Sequence, residues 1–198
     1  MKQIWLCAGS ILLASALIAP AAVLPKPSNS SCMAGAPVPA SYTWNFNKEA
    51  DQLLTQMRHD AMKIRMAADD LQVLTNTPMV SWESHAWDLR VIRDEVNAMG
   101  AKLCRLEMIR RVVRPIDQQE IDRTAYTTRL LADNVEDAIL FLNHHQHELW
   151  NPEYLTNASN IEKESTRLSQ ALTHLKEYAN ARGEVKDLSG TLGVSVGG

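Results

Sequence analysis

Apolar residues recur at spacings of three and four through most of this chain, the period of a helix with one buried face. A first segment carries Ala50, Leu53, Met57, Ile64, Ala67, Leu71 and Leu74 at that spacing. A second carries Trp82, His85, Leu89, Ile92, Val96, Met99, Leu103, Leu106 and Val113. A third carries Ile121, Thr124, Thr128, Leu131, Val135, Ala138, Leu142, His145 and Leu149. A fourth carries Tyr154, Ala158, Ile161, Ser165, Leu168, Leu172, Leu175 and Ala179. Between Asn47 and Arg182 the only prolines are Pro78, Pro115 and Pro152, and they separate these four segments.

End signals agree with four helices. Asn47, Ser81 and Asn151 are good N-cap residues, Pro152 suits a first helical position, and Gly183 suits a C-terminal stop. The connections are short, so neighbouring helices are expected to run antiparallel. The pattern therefore predicts an all-α, up-down-up-down four-helix bundle of long, coiled-coil-like helices, each a rod of about 45 Å. Matching heptads across the turns places Leu74, Trp82, Leu149 and Tyr154 in one terminal layer. Leu71, His85, His145 and Ala158 form the next. Asp60 falls at a nominal core position, but helical drift of about 20° per heptad gives that place to Ala61 and puts Asp60 at its edge.

The periodic region spans 47–182. Before it, Met1 to Gln3 carry a Lys, Ile4 to Leu24 carry no charge, and Ala19-Pro20-Ala21 offers an A-x-A-like exit. That is the form of a secretory signal peptide over residues 1–21, cut after Ala21. The competing reading is an uncleaved membrane anchor. Residues 22–46 hold Pro25, Pro27, Pro37 and Pro39 and read as an extended linker. Residues 183–198 hold five glycines and read as a flexible tail. The expected location is the periplasm or the exterior.

Composition narrows the function classes. The 198 residues include 20 Lys plus Arg and 23 Asp plus Glu, a net charge of -3. A dedicated nucleic-acid binder shows a basic excess instead. Beyond the leader two cysteines remain, Cys32 and Cys104, and they allow one disulfide in an oxidising compartment. The alternative is a buried, free Cys104 acting as a small apolar residue. No spacing for zinc, c-type haem or a redox dithiol occurs, nor any hydrolase, metalloprotease, P-loop or dinucleotide motif. A non-enzymatic protein is expected.

Three regions hold residues with chemistry. His85, His144, His145 and His147 lie in two short stretches with Trp82, Trp87 and Trp150, and the bundle brings both stretches to one end. Imidazoles are the commonest metal ligands, so these four histidines are the candidate site for a transition metal or haem. The plainer account has His85 and His145 satisfying each other, Tyr154 or a water, with Trp82 and Trp150 closing the bundle. The second region is His59, Met62 and Met66, on the face opposite Met57, Ile64 and Leu71. Such a face outside the cytosol suits Cu(I), through soft thioethers, or a client chain. Arg105, Arg110, Arg111 and Arg114 form a basic cluster, balanced by Glu107, Asp117, Glu120 and Asp122.

The stretch Trp82-Glu83-Ser84-His85-Ala86, with Val96-Asn97-Ala98-Met99-Gly100, Leu103-Cys104-Arg105-Leu106-Glu107 and Leu149-Trp150-Asn151-Pro152-Glu153-Tyr154, resembles a group of bacterial exported helical-bundle proteins with no assigned activity. The resemblance covers about residues 47–182 and implies an exported bundle. In architecture alone the chain also resembles soluble cytochrome b-type bundles, which ligate haem with one Met and one His at one end. Here His85 and His145 share an end with Met79, which falls in a turn.

The expected function is thus that of an exported binding or interaction protein acting on a protein or envelope component. The alternatives are a metal- or haem-binding bundle and a Met-faced chaperone or copper handler. No cofactor and no nucleic-acid partner is expected. Membrane contact is expected only through an uncleaved leader, and self-association stays open.

Overall fold

The computed structural model describes residues 44–192, except for the side chains of Lys176, Ala179, Lys186, Asp187, Ser189, Gly190, Thr191 and Leu192. The leader, nearly all of the linker and residues 193–198 lie outside that range. Among the described residues there are four long helices and no strand. They are α1 (Phe46–Thr75), α2 (Trp82–Ile109), α3 (Pro115–His144) and α4 (Pro152–Leu192). One 3₁₀ turn, Arg110–Val112, follows α2. The helices pack against one another: α1 and α3 each lie against both α2 and α4.

The prolines act through their missing N–H. Pro115 and Pro152 each open a helix at its first position, where that donor is not needed, and Pro78 sits in the α1–α2 turn. Asn151 caps α4 by accepting the Glu153 N–H at 2.9 Å. The α1 cap is Asn45 rather than Asn47: its side chain accepts the Lys48 N–H at 3.1 Å. The helix starts early because Phe46 is buried in the core. Asn47 instead accepts the Arg114 N–H at 3.0 Å and ties α1 to the start of α3. Ser81 holds the cap position of α2, but its hydroxyl makes no capping bond.

The core follows the helical period. Met57, Ile64, Leu71, Leu89, Ile92, Met99, Leu106, Leu131, Val135, Ala158 and Ile161 are fully buried. In α1, Leu54 takes the core position and Leu53 is half-buried. Ala61 is fully buried, and Asp60 lies beside it, buried and bonded at 2.7 Å by Lys102 of α2. Thr124, Thr128, Ser165 and Ser169 add buried hydroxyls to α3 and α4.

Gly183 does not stop α4. The 41-residue helix runs through it to Leu192, so most of the expected 183–198 tail is helical. A glycine inside a helix costs about 1 kcal/mol, and Arg182, Glu184, Lys186 and Leu188 around it are good helix formers. No described helix is long and apolar enough to cross a membrane.

Candidate functional site

The α1–α2 turn, the first turn of α2 and the α3–α4 turn enclose a cavity of about 640 Å³. Leu74, Met79, Trp82, His85, His147 and Trp150 are among its lining residues. The histidine- and tryptophan-rich stretches therefore do meet at one end. Trp82 packs on the core, whereas Trp150 is 73% exposed and does not close the bundle. Met79 is fully exposed and holds a positive φ of 65°, an uncommon conformation for a residue with a Cβ.

Beside this cavity His85 and Tyr154 are almost wholly buried, at 2% and 0% exposure. His85 Nδ1 and Tyr154 Oη lie 3.0 Å apart. In the Nε2–H tautomer the hydroxyl donates to Nδ1. Burial lowers the His85 pKa, so the ring stays neutral. Its place in the first turn of α2 acts in the same sense. Burial, with the nearby Asp88 charge, pushes the Tyr154 phenol upward and keeps it a donor. Asp88 itself is pushed up to about 6, by burial first and by Asp70 second.

His145 is not an inward residue. α3 ends at His144, and His145 is its C-cap, with its N–H on the Phe141 carbonyl at 2.9 Å. The heptad pattern, which runs on to His145 and Leu149, thus overruns the helix. Phe141 fills the core instead, 5.6 Å from the Tyr154 ring. The His145 ring stacks on Phe141 at 4.7 Å and reaches Glu148 at 3.5 Å on the exposed side. His144, His147 and Glu148 share no helical face, because the chain turns after His144; all three are exposed. Among the described residues no group of three or more His, Cys, Asp or Glu is placed to hold a metal ion. Of the four candidate histidines, His85 and His147 line one cavity, and His85, His144, His145 and His147 do not form such a group. For an axial haem pair, His85 has one nitrogen engaged by Tyr154 and Met79 points to solvent.

His59, Met62 and Met66 are exposed on α1, Met62 at 46% and Met66 at 67%. Cys104 is half-buried on α2 and disulfide-bonded; Cys32, named as its partner, lies outside the described residues. Arg105, Arg110 and Arg114 of the arginine cluster are engaged by acids from other helices as well as their own. Arg105 donates to Glu49 at 2.6 Å, Arg110 to Asp122 at 2.7 Å, and Arg114 to Asp117 at 2.7 Å and Asp51 at 2.6 Å. Glu49 and Asp51 were not visible as partners in the sequence, because they lie more than fifty residues from the arginines they meet.

Trp87 is also exposed, with the Arg90 guanidinium 4.3 Å above its ring. Neither a family model, a curated protein nor a solved structure matches the chain.

Proposed function

We propose that the protein is an exported, non-enzymatic binding protein whose recognition end is the Trp82–Trp150 cavity. The observation that carries this reading is the cavity of about 640 Å³ with a half-buried Trp82 and an exposed Trp150 and Met79 on its rim. Aromatic residues and methionine are favoured anchors at protein interfaces. The occupant is an apolar side chain of a partner protein in the envelope. Export rests on the leader-like residues 1–21, and the absence of catalysis on the lack of any catalytic motif.

We also read the bundle as up-down-up-down. Glu49 with Arg105, Asp60 with Lys102, and Lys63 with Glu95 pair in broadly opposed order along α1 and α2. Asn134 with Asn160 and Phe141 with Tyr154 do the same for α3 and α4.

The test places a photo-crosslinking residue at Trp150, at Met79 and, as a control, at Tyr126 on an exposed face of α3. Adducts at the first two positions alone, lost when Trp82 is changed to Ala, support the reading. Equal labelling at all three overturns it. Cell fractionation with mass analysis of the N-terminus reads export. An unprocessed chain in the cytoplasm overturns that part.

A second reading is favoured by the exposed His59, Met62 and Met66: a Cu(I)- or client-binding face. Loss of Cu(I) competition in the Met62→Ser, Met66→Ser double variant would support the copper form.

A further inference from the structure

A second cavity, of about 450 Å³, lies between α1, the start of α3 and the later turns of α4. Its walls include Leu54, Ile116, Leu172, Leu175 and Tyr178. Its α4 wall runs from Leu172 to Gly183. The volume falls in the ordinary range for small-ligand sites, roughly 300–1,000 Å³.

The charges on this cavity are unequal. Arg58, Arg114 and Arg182 line it against two carboxylates, Asp51 and Asp117. Arg114 takes both carboxylates. Arg58 and Arg182 have no ion-pair partner among the described residues. Arg58 Nε is buried and has no hydrogen-bond acceptor. A buried charged donor left without an acceptor is costly and calls for an explanation. Arg105, Arg110 and Arg114, in contrast, each hold a carboxylate. Three guanidiniums against two carboxylates leave one positive charge, next to apolar walls.

We propose that this cavity binds a single-chain carboxylate: an apolar body against Leu54, Leu172, Leu175 and Tyr178, and a monoanionic head on Arg58 and Arg182. The guanidinium fork matches a carboxylate in geometry, and the Arg58 Nε–H supplies a donor already stripped of water. The ligand adds the one negative charge that balances the cavity. This site is separate from the Trp82–Trp150 end and does not rest on that reading.

The test is calorimetric titration of the delipidated protein with dodecanoate and, separately, with uncharged dodecanol, both below their aggregation limits. Dodecanoate should bind at one per chain, at least tenfold tighter than dodecanol, and weaken as salt rises. Arg58→Gln should remove that tenfold preference, and Arg182→Gln should reduce it severalfold. Arg182 is exposed, so its variant keeps the proposal testable should Arg58→Gln fail to fold. Equal affinity for the two probes, or unchanged dodecanoate affinity in the arginine variants that fold, overturns the proposal.

Discussion

Replacing Tyr154 by Phe removes one oxygen from the bundle interior and leaves the ring in place. Tyr154 is fully buried and His85 nearly so, with 3.0 Å between Oη and Nδ1. Nδ1 is then left without its donor, where water has little access. Stranding a buried polar group costs about 1–3 kcal/mol. The packing with Phe141 is kept, so no cavity term is added. By comparison, Tyr154→Ala also loses the ring, for which about 3–5 kcal/mol is expected by analogy with Phe→Ala. For a chain of this size, 1–3 kcal/mol lowers Tm by roughly 3–10 °C. Urea and thermal unfolding followed by circular dichroism read both variants. His85→Leu completes a double-mutant cycle. Removing both polar partners should cost less than the sum of the single changes, with a coupling of about 1–2 kcal/mol. A Tyr154→Phe protein within 0.5 kcal/mol of the parent, together with an additive cycle, would refute the argument that this bond holds the end of the bundle together.

Four further outcomes follow from the same structure. Asp88 titrates near 6 when folded against about 4 unfolded, so its ionised form costs stability as pH rises from about 4 to 6. Its partial exposure trims an unscreened figure of about 3 kcal/mol to about 1; Asp88→Asn should stabilise by that amount at pH 7.5 and not at pH 4. His85, with a lowered pKa, acts in the other direction: its contribution is present above about 6.5 and declines as pH falls below it, which His85→Leu should abolish in a pH series of urea midpoints. Lys102→Ala leaves Asp60 buried without its 2.7 Å partner and should cost about 1–2 kcal/mol, most of it recovered by adding Asp60→Ala; no recovery in the double variant would contradict the pairing. Gly100 is helical, with open space where a Cβ would stand, so Gly100→Ala should raise stability by about 0.5–1 kcal/mol, and a lower urea midpoint would count against it.

The fold was legible because burial here follows a single period. Leu89, Ile92, Met99, Leu131, Ile161 and Leu168 could each be placed in the core from spacing alone, and Pro115 and Pro152 marked helix starts. The errors lie where the period stops carrying information. The pattern places His145 inward because it says nothing about where a helix unwinds, and one residue separates the last turn of α3 from its cap. Gly183 suggests a stop because a lone glycine lowers helix propensity without saying whether the neighbours outweigh it. At the histidine end, spacing identified His85, and Tyr154 was one of several partners open to it. Asp88 carries no such signal, since its raised pKa comes from burial and from Asp70 on another helix. The arginine cavity was not legible at all: Arg58 and Arg182 lie 124 positions apart in the numbering and meet only through packing.

Helix α4 outlasts its partners. Its 41 residues span about 60 Å, against about 45 Å for α1 and α3, and every described side chain from Glu177 to Leu188 is exposed. The backbone there is held by its own hydrogen bonds and by little else, so it opens without the rest of the molecule. Amide exchange should therefore divide the helix in two. The stretch around Tyr154 to Leu172 should exchange at the rate of global unfolding, and the stretch beyond Glu177 at the much faster rate of local fraying. Tyr178 and Arg182 belong to the second stretch, so one wall of the arginine cavity is built on the part of the helix that costs least to open. An anion seated there would slow exchange in these last turns while leaving the core amides unchanged.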